Sequence, residues 1–380
     1  MPNSPSPSPC PCPKIFCLLL AGGKGTRLHE LTVSECKPAL PFAGSRLADF
    51  ALENVARSGL GQVLVATQYK AAGLTGWLHR RWSARFGEGL QIRDGNAVTP
   101  RGYLGTADAV RANLAEIARS GAETVLVLSA DHVYRMDYRA MIARHLASGC
   151  KVTVAADTAP LDRASAFGVL SADPQGAVTG FAEKPVRPVP ITGDPGRALV
   201  SMGIYLFDRR WLESVLADPS MNDFGHDILP LAVALGAAQV HRPGAEGPAG
   251  FYWRDVGTLD GYRLAHLDFL RGEALMPFSL PLVWRCPPQA RRAAVHGTVL
   301  MPGASLGEGV RLHRSIVAPG VHVPDGLVAG RDPAEDARWF RIGAGGTVLI
   351  TAAMVERWRE AHARRRALVV WRACPGLQEA

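Results

Sequence analysis

No run of eighteen apolar residues occurs in this 380-residue chain, so the sequence offers nothing of the length a membrane-spanning helix needs. The longest early apolar stretch, Ile15 to Ala21, follows a single Lys and leads straight into a glycine loop, which argues against a secretory signal and for a cytoplasmic protein. Cysteine is sparse and odd in number, seven spread from Cys10 to Cys374, and supports neither a disulfide framework nor a zinc spacing. Lysine is scarcer still. Only Lys14, Lys24, Lys37, Lys70, Lys151 and Lys184 stand among 42 basic residues. A chain that uses Arg almost everywhere keeps Lys where a compact ammonium on a flexible stem is wanted, which marks Lys37 and Lys184.

What is present is a globular composition, 47% hydrophobic and 20% charged, on a chain long enough for two domains. The net charge of +8 raises the question of nucleic acid, but no basic stripe interleaved with aromatics and no recognised nucleic-acid module appears. Anionic small substrates and an Arg-rich tail account for the excess, and the tail reads as a solvated helix face. The Pro/Ser-rich leader, residues 1–13, is expected to be disordered.

From Lys14 to about Leu270 short β-rich runs alternate with helical patterns. Ile15 to Leu20, Gln62 to Ala66, Thr124 to Leu128 and Lys151 to Ala156 read as buried strands. Leu47, Phe50, Ala51 and Val55 recur at helical spacing, as do Val110, Leu114 and Ile117 after a Thr106 N-cap. This pattern predicts an α/β domain with a mainly parallel, Rossmann-like sheet over 14–276, whose ligands gather beyond the carboxyl ends of the strands. After a linker at 277–293 the pattern changes. Leu300, Leu306 and Leu312 fall six apart, as do Val310, Ile316, His322 and Val328, which predicts a short left-handed β-helix over 294–350, with a β-hairpin meander as the alternative. A helical tail over 351–380 ends the chain.

Leu20-Ala21-Gly22-Gly23-Lys24-Gly25-Thr26-Arg27-Leu28 directly follows the first strand. Its glycines let backbone N–H groups approach a phosphate chain, and Arg27 can fork onto the oxygens. It is neither a Walker A loop, lacking Ser or Thr after the Lys, nor a dinucleotide fingerprint, since Leu28 replaces the third glycine. In Lys37-Pro38 the proline is expected to hold an extended backbone that aims the amine, and Glu183-Lys184-Pro185 repeats the arrangement after the strand pattern Val178 to Ala182. Asp131 ends a strand pattern, and Asp255 precedes a helix start. Paired around a phosphate site, two such carboxylates suit Mg²⁺, with the nucleotide supplying further oxygens. His132 and His226 lack metal-ligand spacing and read as surface or hydrogen-bonded residues.

These segments, with CKP, GTADAV, SADHVY, ASAFGV, FAEKP, SMGIY, DFGHDILP and YWRDVGTL, occur in the order of the ADP-glucose pyrophosphorylase family, which the chain resembles over nearly all of residues 14 to 270. The resemblance implies that Leu20, Ala21, Gly22, Gly23, Gly25, Thr26, Gln68, Tyr103, Gly105 and Thr106 bind ATP. It implies Gly168, Glu183, Lys184, Ser201, Trp253 and Asp255 for glucose 1-phosphate, Arg27, Lys37 and Asp131 for catalysis, and Asp131 and Asp255 for Mg²⁺. It also implies a homo-oligomer, usually a tetramer. A related enzyme for another nucleoside triphosphate or sugar, and a catalytically silent regulatory subunit, are the alternatives. Ser34 and Glu35 stand where many activated relatives carry basic residues, Leu104 replaces an Arg, the loop Arg93 to Pro100 lacks a Gln-rich segment, and the coil region is short. Weak or altered activation by glycolytic intermediates is therefore expected, and a large stimulation of turnover by fructose 1,6-bisphosphate would contradict it.

Overall fold

A computed structural model of the chain describes residues 14–246, 251–270 and 294–373. They form two compact units, one from residues 14–23, 51–130 and 136–251, the other from 24–50, 131–135 and the segments after 251.

The first unit is built on a nine-stranded sheet. Ile15–Ala21 lies between Val63–Thr67 and Thr124–Ser129, both parallel to it, and Leu90–Asp94 extends the parallel set. These central runs are apolar on both faces because helices cover both, so the strands carry Val and Leu continuously rather than in alternation. Arg197–Asp208 runs antiparallel against Thr124–Ser129, Gly168–Ala172 and Val152–Pro160, so the sheet is mainly parallel at its centre and mixed at its flank. Leu90–Asp94, which includes the expected loop residue Arg93, is a strand. It is half-buried at the sheet edge, and Arg93 pairs there with Glu116 instead of lying in solvent.

Two helical readings need correction. Val110, Leu114 and Ile117 belong to two short helices, Thr106–Arg111 and Leu114–Arg119. Thr106 is not an N-cap: the first amides, of Ala107 and Asp108, donate to the Asn222 carbonyl at 2.9 and 3.2 Å. The Thr106 hydroxyl donates instead to Asp223 Oδ2 at 3.0 Å and accepts from the Phe224 amide.

In the second unit the hairpin Pro41–Phe42/Ser45–Arg46 turns through Ala43 and Gly44, both with positive φ, the geometry that matches strand twist. It delivers Phe42 into a nest of rings: Phe50 at 5.4 Å, Phe269 at 5.3 Å and Tyr262 at 5.8 Å, all edge-on. Each such pair contributes about 1 kcal/mol beyond its burial.

The coil region stacks parallel strands in register: Ala294 on Arg311, Val299 on Ile316, Ser305 on His322 and Arg311 on Val328. Each offset is seventeen residues, where three hexads would need eighteen. The corners show why. Gly297, Gly303 and Gly309 turn with positive φ six apart, but the next corner is Arg314 (φ 48°), followed by Gly320 and Gly326. One side of the coil is thus a pentad. The strict six-residue reading consequently fails after Ile316: His322 and Val328 face outward, while Val321, Val323, Leu327 and Ala329 are buried. The helix Pro333–Trp339 then interrupts the coils, capped by Asp332. The helix Ala352–Ala373 begins the tail, and Arg357 donates to the Trp339 carbonyl at 3.2 Å. The leader 1–13 and linker 277–293 lie outside the described residues.

Candidate active site

The candidate residues fall into two groups, one in each unit. In the first, the carboxyl ends of successive parallel strands deliver Gly22, Gln68 and the segment reaching Tyr103, as the strand-end rule requires. Gly22 follows Leu20 and Ala21 of the first strand, and a Cβ on it would stand 3.3 Å from Gln68 Cβ. Gln68 Oε1 accepts from the Tyr103 amide at 2.7 Å, and Gly95 leaves room for both side chains. Burial pushes the Tyr103 phenol up, and its oxygen accepts from Asn113 at 3.1 Å. Gly105 must be glycine for packing reasons, because a Cβ would lie 2.2 Å from the Asn222 carbonyl oxygen. Gly23 has open space around it, so no such constraint acts there.

Thr106 leads from this cluster to the other residues of the first unit. Its partner Asp223 also accepts from the amides of Gly225 and His226, at 2.8 and 3.0 Å. Glu183 is confined between two glycines: a Cβ on Gly225 would lie 2.5 Å from its Oε2, and one on Gly168 2.9 Å. Lys184, with a positive φ of 45°, is held by its amide on the Phe167 carbonyl at 3.0 Å, and its exposed ammonium pairs with Glu183. Ser201 Oγ is 3.2 Å from the Tyr205 hydroxyl and accepts from Gly203, at the bulge where register shifts. Sequence reading missed Asn222 and Asp223 because their partners are more than a hundred residues away. His226 is exposed.

The second group lies in the other unit. The two-stranded pairing of His132–Arg135 with Tyr252–Asp255 sets Asp255 opposite His132, and hence beside Asp131. Lys37 Nζ lies 3.0 Å from Asp131 Oδ2 and 3.6 Å from Asp255 Oδ1, so one ammonium joins both carboxylates. His132 Nε2 stands 3.5 Å from Asp131 and 3.8 Å from Asp255, its ring edge-on to Trp253 at 5.5 Å. It is therefore a neighbour of both acids rather than a surface residue.

Lys37 opens a 3-10 turn, Lys37–Ala39, rather than an extended stretch: the fixed φ of Pro38 suits the first turn of a helix. Only a glycine at 25 permits this approach, since a Cβ there would lie 2.8 Å from Lys37 Cβ. Thr26 and Arg27 follow, bordering a cavity of about 360 Å³ with His29, Thr258, Asp260 and Gly343. That volume is in the range of small-molecule sites. Arg27 also reaches Gly257, whose amide donates to Asp255 Oδ1 at 2.8 Å.

Among the described residues no group of three or more His, Cys, Asp or Glu side chains is arranged to hold a metal. The pair Asp131 and Asp255 nevertheless fits Mg²⁺, which takes one or two protein carboxylates and completes its octahedron with water and substrate phosphate. No helix among the described residues is long and apolar enough to cross a membrane.

Comparison with known proteins agrees with this arrangement of elements. A family described as nucleotidyl transferase matches residues 16–272, and one described as GlmU-like, C-terminal hexapeptide matches 288–350. The chain belongs to the nucleotidyl transferase family, with the parallel sheet of that fold followed by hexapeptide coils of a left-handed β-helix. It is 37% identical to a glucose-1-phosphate adenylyltransferase of Jannaschia sp. over 406 positions, covering 90% of this chain and 97% of the relative. To the enzyme of that name from Granulibacter bethesdensis it is 37% identical (89% and 96% covered), and to one from Cereibacter sphaeroides 36% (92% and 96%). Within the family it stands among the glucose-1-phosphate adenylyltransferases. Because 406 aligned positions take up only 90% of a 380-residue chain, the Jannaschia relative carries segments this one lacks.

Proposed function

We infer that the chain transfers the adenylyl group of ATP to glucose 1-phosphate, giving ADP-glucose and pyrophosphate for a glucan. The observation that carries this reading is the convergence of Asp131 and Asp255 on Lys37, supported by names shared among relatives that the chain spans almost end to end.

In this reading an oxygen of glucose 1-phosphate attacks the α-phosphorus in line, the bond to the β-phosphate oxygen breaks, and pyrophosphate leaves. A sugar phosphate is already ionised near neutral pH, so no strong base is required. The work is positioning and charge cancellation. Leu20 to Gly23, with Gln68, Tyr103, Gly105 and Thr106, hold the nucleotide. Gly25 and Thr26 continue the phosphate loop, and Arg27 stabilises the departing pyrophosphate. Lys184 takes the sugar phosphate, while Glu183, Gly168, Ser201 and Trp253 surround the sugar. Asp131 and Asp255 would hold Mg²⁺, which supplies Lewis-acid neutralisation of the phosphates when bound.

The same reading takes 14–276 as the catalytic domain and 294–350 as the β-helix. It places the enzyme in the cytoplasm as a homo-oligomer, a tetramer if the short β-helix still supports one. Pyrophosphate release with Mg²⁺, measured across a panel of nucleoside triphosphates and sugar 1-phosphates, tests it. ATP with glucose 1-phosphate is expected to be the preferred pair, and preference for another pair would replace the assignment.

A further inference from the structure

A cation already stands between the two carboxylates. Lys37 is nearly buried, its side chain 5% exposed, and its ammonium is shared between Asp131 and Asp255. Its backbone has little freedom. Its Cβ occupies space that a side chain at Gly25 would fill, Thr32 donates to the Gly25 carbonyl at 3.1 Å, and buried Cys36, Pro38 and Ala39 fix its backbone. Asp131 is the more open acid, 35% exposed against 17% for Asp255, so any departure of the amine leads past Asp131.

A divalent ion taking oxygens from both acids would stand within contact distance of this ammonium, and two cations so close repel strongly in a partly desolvated site. With Lys37 in place the trio carries a net charge of −1; without it the pair carries −2 and attracts metal more strongly.

We propose that Lys37 is the resident counter-ion of the Asp131–Asp255 pair and competes with Mg²⁺ for it. The ammonium leaves the acids when metal arrives with a nucleoside triphosphate, whose phosphate oxygens offer it a new partner. The proposal rests on the reading of the two acids as metal ligands, and adds that metal and Lys37 exclude one another in the nucleotide-free chain. Little metal should then be held before the nucleotide binds. The scarcity of lysine fits this role. A compact ammonium on a flexible stem can withdraw, whereas a guanidinium fork would hold both acids by several bonds.

The test uses the full chain without nucleotide and Mn²⁺ alone as the probe, its free ion counted by electron paramagnetic resonance. Lys37→Met is expected to bind Mn²⁺ at least about tenfold more tightly than the unaltered chain, and Lys37→Arg to stay as weak. In parallel, acylation footprinting of the unaltered chain should show Lys37 protected without metal and labelled as Mn²⁺ is titrated, a readout that does not depend on a variant folding. Equal affinity in the unaltered and Met chains, or labelling of Lys37 that bound metal leaves unchanged, overturns the proposal while the ligand reading stands. Absence of Mn²⁺ binding in every form removes the ligand reading and the proposal together.

Discussion

Replacing Asp131 by Asn is expected to lower turnover by about a thousandfold while leaving the fold intact. The substitution is nearly isosteric, and the side chain, about a third exposed, lies just beyond the strand Thr124–Ser129, so little packing is disturbed. What changes is charge. Of the two carboxylates that Lys37 joins, only Asp255 remains, 3.6 Å away, and a neutral amide is a poor partner for a hard divalent cation. Metal stabilisation of a phosphoryl transition state is worth several kcal/mol, and about 4 kcal/mol corresponds to three decades of rate. Steady-state pyrophosphate release, with a thermal melt to verify folding, measures both halves of this expectation. Turnover near that of the unaltered chain would remove Asp131 from the mechanism. The double replacement Asp131→Asn/Asp255→Asn should lose much less than the product of the single losses, because the acids act as one unit.

The second large effect is on stability, and it centres on His266. This residue lies on the helix Leu259–Leu270 with its ring 3.9 Å from that of Phe42 and 4.5 Å from that of Tyr262, and its Nδ1 2.9 Å from the Tyr262 carbonyl oxygen. Burial pushes its pKa down from 6.5 to about 4. A depressed histidine is neutral in the folded chain where the unfolded chain already binds a proton. The contribution is therefore intact above pH 6.5 and is lost as pH falls from 6.5 toward 4. The shift corresponds to about 3 kcal/mol in total, of which about 2 kcal/mol is gone by pH 5. His145, also lowered by burial, acts in the same direction. Urea unfolding at pH 7 and pH 5 should show this loss, and His266→Phe should reduce the difference between the two pH values by about 2 kcal/mol. An unchanged difference would show that His266 does not titrate as its burial requires.

The central strands were legible because a strand buried on both faces is a continuous apolar run, and Ile15–Ala21, Val63–Thr67 and Thr124–Ser129 each have one. Leu90–Asp94 was not, since an edge strand half in solvent carries Gln91, Arg93 and Asp94 and looks like a loop. The coils were legible from aliphatic spacing, but the pentad was hidden because Arg314 occupies a left-handed corner where glycine is the expected signal. In the candidate site, Asp131, Asp255 and Lys37 could each be singled out from motif and composition. The pairing of the two acids was expected through the family resemblance, but not that Lys37 joins them, because that depends on the long-range pairing of His132–Arg135 with Tyr252–Asp255. For the same reason His132, with no spacing to advertise it, emerged only once that pairing was visible.

The end of the coil stack has a consequence for solubility. Ser315–Val317 pairs in parallel with Val348–Ile350, but the far edge of Val348–Ile350 is taken by Arg341–Ile342 running the opposite way. An open parallel edge would template the next coil from any chain that offered one, the route to fibrous polymers. The reversed strand, with Arg341 held by Glu30 at 2.8 Å, presents no matching ladder on that side, so this face of the coil is closed to such templating.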